Sequence, residues 1–272
     1  SKSTNEVIKF LYMFALAFFN LSFNRLAEFG TDKVGQLLIV ILVIKVFQHT
    51  CFDNNKFKLS NILLLIPLLG FCISLKTYFL PYVLIGLTII LLDSRIVKNL
   101  KNLFFSKSFF IFFSFLSIYF FHHFISTGCL ISPLSLTCFG DNLEWAMSSK
   151  SYENLSIWLE QWAKAGAGPN FRIENPLDYI QNFNWIPNWI EMYFKVKILD
   201  QLGILISVFF VTFLLFKSFK LKTNSLFLNR KILFFYSIIL VIFFIWFSNH
   251  PQLRYGGYSI IFLTLSIPIV LV

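Results

Sequence analysis

The chain has 272 residues, of which 57% are hydrophobic and 13% charged, with a mean hydropathy of +0.72 and a formal net charge of +10. A soluble domain carries roughly twice that share of charge, and the apolar residues come in long blocks, so the composition excludes an ordinary soluble enzyme. The positive charge does not imply a nucleic-acid partner, because the basic residues sit on short loops between apolar runs, where anionic lipid headgroups account for them.

Taken in order, the apolar runs predict spans at about 8–22, 34–48, 59–75, 77–92, 108–126, 200–216, 231–248 and 258–272. The fold class is therefore all-α, a polytopic transmembrane bundle of about eight spans, the last cut short. The pair 59–75 and 77–92 reads either as two short spans hinged at Lys76 or as one broken helix with a re-entrant part. Residues 1–126 hold five spans, 127–199 form one long loop, and 200–272 hold three more. The chain begins SKSTNEV without a Met and stops inside an apolar run, which reads as a piece of a longer protein, with no signal peptide visible. The abundance of Phe, with Ile, Asn and Lys, reads as the bias of an AT-rich genome rather than an aromatic site.

Orientation follows from the loop charges. With eight spans, one side holds 1–7, 49–58, 93–107 and 217–230 with Lys9, Lys45 and Lys231, and carries 14 Lys/Arg against 3 Asp/Glu. The other side holds 23–33, Lys76, 127–200 and 249–257, and carries 9 against 10. The positive-inside rule makes the first side cytoplasmic, with SRIVKNLKNLFFSK (94–107) and KSFKLKTNSLFLNRK (217–231) as the strongest markers. Three polar segments then share the outer face: FNRLAEFGTDK (23–33), the long loop, and NHPQLRYGG (249–257).

The long loop is rich in Trp, at 145, 158, 162, 185 and 189. Leu155, Trp158, Leu159 and Trp162 follow helical spacing and predict an amphipathic helix from about 152 to 165, ended by Gly166. Asn175-Pro176 predicts a second short helix to about Phe183, with Asn as cap and Pro in the first turn. These helices are expected to lie in the membrane–water interface, as packing and anchoring elements or as a lid over a lipid-linked substrate. Cys129 and Cys138 flank Pro133 in TGCLISPLSLTC, where they are placed to close a small loop as a disulfide or to remain two thiols. Their spacing without His partners is a poor zinc pattern, and Cys51 and Cys72 are expected to stay unpaired.

No phosphate-cradling Gly loop, HExxH or nucleophile elbow is present. What remains is the outer polar set. Arg254, Lys76 and Arg25, with His250 and Tyr255 beside the first, are candidates for binding a substrate phosphate, since Arg is a good bidentate partner of phosphate and Gly256-Gly257 permit close backbone approach. Asp32 and Glu28 are candidates for a general base, or for holding a divalent ion that bridges a pyrophosphate. Structural readings stand beside these: Arg254 tying a turn, Arg25–Glu28–Asp32 as a solvated helix-start network, Lys76 snorkelling, and His122-His123 as an interfacial pair. N-x-S at Asn154 is incidental.

The segments NRLAEFGTDKVGQLL, SLKTYFLPYVL, STGCLISPLSLTCFGDNLEWA and HPQLRYGGY occur in that order and together resemble a family of bacterial polytopic membrane proteins. That family in turn resembles the GT-C superfamily of membrane glycosyltransferases. The resemblance covers Arg25 to Gly257 and implies a bacterial inner-membrane enzyme of cell-envelope polysaccharide synthesis. It implies a polyprenyl-phosphate-linked sugar or glycan as substrate, residues 127–199 on the periplasmic side, and no nucleic-acid partner. It also implies a catalytic acid in a first outer loop, expected upstream of Ser1, which leaves Arg254 and Lys76 as donor-phosphate ligands ahead of Asp32 as the acid. An O-antigen polymerase or ligase is the neighbouring enzymatic alternative. A transporter or flippase is the non-enzymatic one, and it predicts mid-span ionisable residues and internal repeats that this chain does not display.

Overall fold

The computed structural model describes residues 2–23, 32–52, 63–92, 100–132, 134–217 and 230–271. The protein is mostly helical. Four helical stretches are long and apolar enough to cross a membrane: Asp32–Cys51, Lys107–Thr127, Ile186–Leu215 and Arg230–Asn249. Leu65–Leu75, Thr77–Leu92 and Gly257–Pro268 are apolar but shorter. Residues 94–99 and 218–229 of the two basic segments lie outside the described residues, as do Arg25, Glu28 and Pro133.

α1 (Lys2–Ser22) packs beside α2 (Asp32–Phe47), which runs on into a π-helical turn at Gln48–Phe52. α3 (Leu65–Leu75) ends at Lys76, whose φ of −156° and ψ of 135° are extended and break the helix. A 3-10 turn (Thr77–Tyr82) then leads into α4 (Val83–Leu92). The arms double back on one another: a Cβ on Gly86 would sit 2.9 Å from Leu69 Cδ2, so residues far apart along the chain lie side by side. Residues 65–92 are thus a hairpin turning at Lys76, each arm shorter than the four helical stretches long enough to cross a membrane.

α5 (Leu100–Phe104) precedes α6 (Lys107–Thr127). Ser106 caps α6, its Oγ accepting from Phe109 N at 3.2 Å, and Gly128 closes it in the left-handed conformation. One face of α6 packs on α3, where a Cβ on Gly70 would come within 2.8 Å of the Phe112 ring; most of the rest is exposed. α10 (Leu199–Lys217), α11 (Arg230–Asn249) and α12 (Gly257–Leu271) complete the bundle. Its centre is aromatic. Phe14, Phe18 and Phe19 of α1 surround Phe262 of α12 at 4.8, 5.7 and 6.1 Å between ring centres, and Phe209 of α10 lies 5.8 Å from Phe14. Much of the Phe excess therefore packs inside or faces outward from the bundle, whatever its genomic origin.

Residues 128–198 form a folded cap rather than loose interfacial helices. α7 (Ser149–Ala163) starts three residues before the expected 152, because the Ser148 hydroxyl accepts from Ser151 N at 3.3 Å. A two-residue β-hairpin follows, β1 (Ala167–Gly168) with β2 (Phe171–Arg172), which the sequence reading did not anticipate. α8 (Pro176–Ile180) stops short of the expected Phe183, since Asn182 and Phe183 have φ of +50° and +61°, outside helical space. Asn175 accepts from Tyr179 N through its carbonyl and offers no side-chain cap. α9 (Ile186–Trp189) and a π-helical stretch (Ile190–Ile198) run straight into α10, so the span expected at 200–216 is the far part of one 30-residue helical run.

The tryptophans divide accordingly. Trp145 and Trp158 are exposed, whereas Trp185 and Trp189 are buried with Phe247 of α11, at 5.2 and 5.5 Å. They are packing residues, not interface anchors. Inside the cap, Lys164 is buried, ion-paired with Glu160, donating to Ile180 O at 3.1 Å and lying 5.2 Å from the Trp185 ring centre. A buried ammonium survives only with such partners.

Candidate functional site

Asp32 opens α2 at one end of the bundle. Lys76 sits at the hairpin turn and Arg254 in the connection between α11 and α12, so both reach that same end. The three converge. Arg254 Nε donates to Asp32 Oδ2 at 3.0 Å, and Lys76 Nζ lies 2.8 Å from Asp32 Oδ1. The Asp32 side chain is 0% exposed, while that of Arg254 is 59% exposed. Lys76 is in ion-pair contact but outside hydrogen-bond geometry, so Oδ1 is compensated in charge without a directed bond.

The arrangement is asymmetric in charge. One carboxylate faces two cations, at the positive end of helix α2. Two consequences follow. Asp32 has its two oxygens taken up by Arg254 and Lys76, which makes it an organiser of the cations rather than a group open to substrate. Arg254 uses only Nε on Asp32, and among the described residues its two terminal nitrogens make no hydrogen bond, so the paired edge faces Asp32 and the other faces outward. A guanidinium held this way is preorganised for an anion.

The connection bearing Arg254 is held from every side. Trp189 Nε1 donates to Pro251 O at 2.9 Å, Trp246 Nε1 to Gln252 O at 3.1 Å, and Tyr193 Oη accepts from Leu253 N at 2.9 Å. Gln252 Nε2 donates to Trp162 O at 2.8 Å and so ties the connection to the cap. Gly256 has φ of +86°, the left-handed conformation that favours glycine, and a Cβ on Gly257 would lie 2.8 Å from Gln252 O. Gln36 contributes most. It lies one turn after Asp32, is fully buried, donates Nε2 to Leu253 O at 3.1 Å and accepts from Ser259 N at 2.9 Å through Oε1. The sequence reading missed Gln36, although a lone amide in the apolar run VGQLLIVIL, on the same helical face as Asp32, was a usable signal.

Lys76 is held through its neighbour. Thr77 Oγ1 donates to Ser132 O at 2.7 Å and shares a hydrogen bond with Tyr119 Oη at 2.8 Å. Ser132 belongs to the loop that the Cys129–Cys138 disulfide closes; Cys51 and Cys72 are free thiols. Tyr78 and Tyr255 pack beside the cations with ring centres 5.0 Å apart, and Lys76 Nζ lies 5.9 Å from the Tyr78 ring centre. His250 meets the Tyr255 ring edge-on at 5.8 Å. It therefore backs the aromatic pair rather than joining the ion set. Of the proposed phosphate ligands, the structure brings Arg254 and Lys76 together around Asp32, sets Tyr255 beside them and His250 behind. Arg25 and the proposed acid Glu28 lie outside the described residues.

A divalent ion does not fit this set. Asp32 is already matched by two cations, and no group of three or more His, Cys, Asp or Glu that could hold a metal occurs among the described residues.

Burial pushes the His250 imidazole below its ordinary range, with Glu160 opposing that shift and Lys164 adding to it. The folded state therefore takes up the proton at lower pH than the unfolded chain, whose imidazole titrates near about 6.5. Stability is unaffected above that value and falls as the pH drops through it. Lowering the pH from about 7.5 to 5.5 is expected to reduce the melting temperature of the wild type more than that of His250→Gln. Equal losses in a detergent-solubilised thermal melt would remove His250 as the cause.

The model of a family described as a domain of unknown function, DUF8201, matches residues 1–261. No curated protein and no solved structure matches the chain.

Proposed function

We propose, for a chain that belongs to the DUF8201 family, that it is a multi-pass protein of the bacterial cytoplasmic membrane which binds the phosphate of a lipid-linked sugar and takes part in its transfer to a cell-envelope glycan. In this reading the up-and-down helices, including both arms of the hairpin at Lys76, make eight crossings. The cap and the Asp32–Lys76–Arg254 set lie on the outer, periplasmic side. The observation that carries it is an Arg held at Nε by a buried carboxylate that also pairs with Lys76, its two terminal nitrogens making no hydrogen bond among the described residues.

Each residue has a distinct task. Arg254 takes two phosphate oxygens through its terminal nitrogens, and Lys76 adds a point charge. Asp32 aims the two cations and keeps them from repelling each other. Tyr255, whose phenol burial raises above its ordinary range, stays a neutral hydroxyl beside them. The group that moves a proton during transfer lies elsewhere than in these three residues, since Asp32 is wholly buried, with one oxygen bonded to Arg254 and the other charge-paired with Lys76. A polyprenyl-phosphate-linked sugar fits because its anionic group sits at the membrane surface while its tail stays in lipid.

The test is binding of a short-chain polyprenyl phosphate to the protein in nanodiscs. A charge-assisted pair contributes about 1.5–3 kcal/mol, so Arg254→Ala is expected to weaken binding by roughly 10- to 100-fold. Arg254→Lys is expected to recover part of it, because an ammonium restores charge without the planar fork. Unchanged affinity in Arg254→Ala, with the protein inserted and monodisperse, would overturn the reading.

A further inference from the structure

The geometry points to a second membrane contact, independent of the transfer reading: the disulfide-closed loop and the segment after it dip into the lipid of the leaflet at the cap end of the bundle.

α6 is 21 residues long, roughly 31 Å at 1.5 Å per residue, which matches the hydrocarbon core. Its last turns are not covered by protein, since Phe121 and Ile125 are largely exposed. Just past its end, Gly128 turns the chain and the Cys129–Cys138 disulfide closes a loop. The chain then comes back down beside the helix. Phe124, one turn before the end of α6, meets Phe139 at 6.1 Å and Trp145 at 5.7 Å between ring centres. Trp145 is thus level with the last turn of a membrane-spanning helix, not above it.

The surface there is apolar. Leu136 at the loop tip is 90% exposed and Trp145 is 55% exposed, with Leu134, Phe139 and Met147 also exposed. Phe124, Leu130, Phe139 and Leu143 line a shallow hollow between loop and helix, with Asn142 at its edge. A contiguous apolar patch of this kind on a water-facing loop would be costly. As a continuation of the lipid-facing side of α6 it is covered by the same solvent that covers that helix. Exposed Glu144 beside Trp145 holds the patch at the interface rather than deeper, the level at which Trp is favoured. The backbone fixes the placement: a Cβ on Gly128, at the end of α6, would fall 2.4 Å from Ala146 Cβ, so the glycine lets the segment lie tight there, and a Cβ on Gly140 would fall 1.9 Å from Met147 O, where the segment folds back on itself.

Trp145 provides the test. The protein is reconstituted in phosphatidylcholine vesicles with or without 5-doxyl-phosphatidylcholine, and the Trp145 signal is the wild-type emission minus that of Trp145→Phe. The doxyl lipid is expected to quench this signal at least twofold, while aqueous iodide leaves it nearly unchanged. A second variant, Leu136→Trp at the exposed tip, adds an emission expected to respond in the same way. Quenching of both signals by iodide and not by doxyl lipid would overturn the inference. So would shielding from both, which would mean that a second copy of the chain covers the patch.

Discussion

Asp32→Ala is expected to lower stability by about 2–3 kcal/mol and to abolish binding of the lipid phosphate. The first figure rests on where the charge sits. Removing one partner of a buried ion pair typically costs about 3–5 kcal/mol, because the other is left uncompensated in a poor dielectric. Here Lys76 and Arg254 both reach water, so the cost is below that range, yet Asp32 itself is wholly buried and neutralises two cations rather than one. In a thermal melt this is a drop of roughly 5–10 °C for a chain of this size. Asp32→Asn is expected to behave almost as badly, since it keeps the shape and loses the charge. Combining Asp32→Ala with Lys76→Met relieves part of the repulsion and is expected to restore part of the stability but none of the binding. If Asp32→Asn is as stable as wild type, the ion set does not hold the hairpin turn, α2 and the Arg254 connection together.

Gln36→Leu is expected to cost about 1–3 kcal/mol, chiefly by leaving one buried backbone amide unpaired. Ser259 N loses its acceptor, while Leu253 O loses one of two donors and keeps the Gly256 N–H. Ser259 lies in the first turn of α12, where an amide has no partner within its own helix. Gln36 thus caps α12 from a neighbouring helix while holding the carbonyl just before Arg254. Gln36→Glu keeps the acceptor for Ser259 and loses the donor for Leu253, so an intermediate cost is expected. Hydrogen exchange read by mass spectrometry is the discriminating measurement: residues 252–259 should exchange faster in Gln36→Leu, with the cap little changed. Unaltered exchange there would show that Trp189, Trp246 and Tyr193 suffice to hold the connection.

The legibility of this protein varied with the range of the interaction. The helical class and the helix in residues 149–163 rest on local periodicity, and local patterns report them. The grouping of Asp32, Lys76 and Arg254 was legible in outline, because a reading of eight alternating spans expects residues 23–33, Lys76 and residues 249–257 at one end. The Trp residues misled. Trp at high density in a loop suits an interface, but Trp185 and Trp189 lie against Phe247 of α11, and the Trp189 indole finds its acceptor in Pro251 O. A buried indole and an interfacial one have the same sequence signature, an apolar body with one donor.

By itself, then, the sequence determined a helical chain and its approximate apolar segments, several long enough to cross a membrane, since these depend on hydropathy along the chain. Only the tertiary structure decided that 65–92 folds back as a hairpin, that Asp32 is buried between two cations, and that Arg254 reaches it through Nε alone. Those outcomes depend on contacts such as Asp32–Arg254, 222 residues apart, which no local pattern encodes. The same reason explains why Gln36 escaped notice: its partners, Leu253 and Ser259, are more than two hundred residues away, and only packing brings them to it.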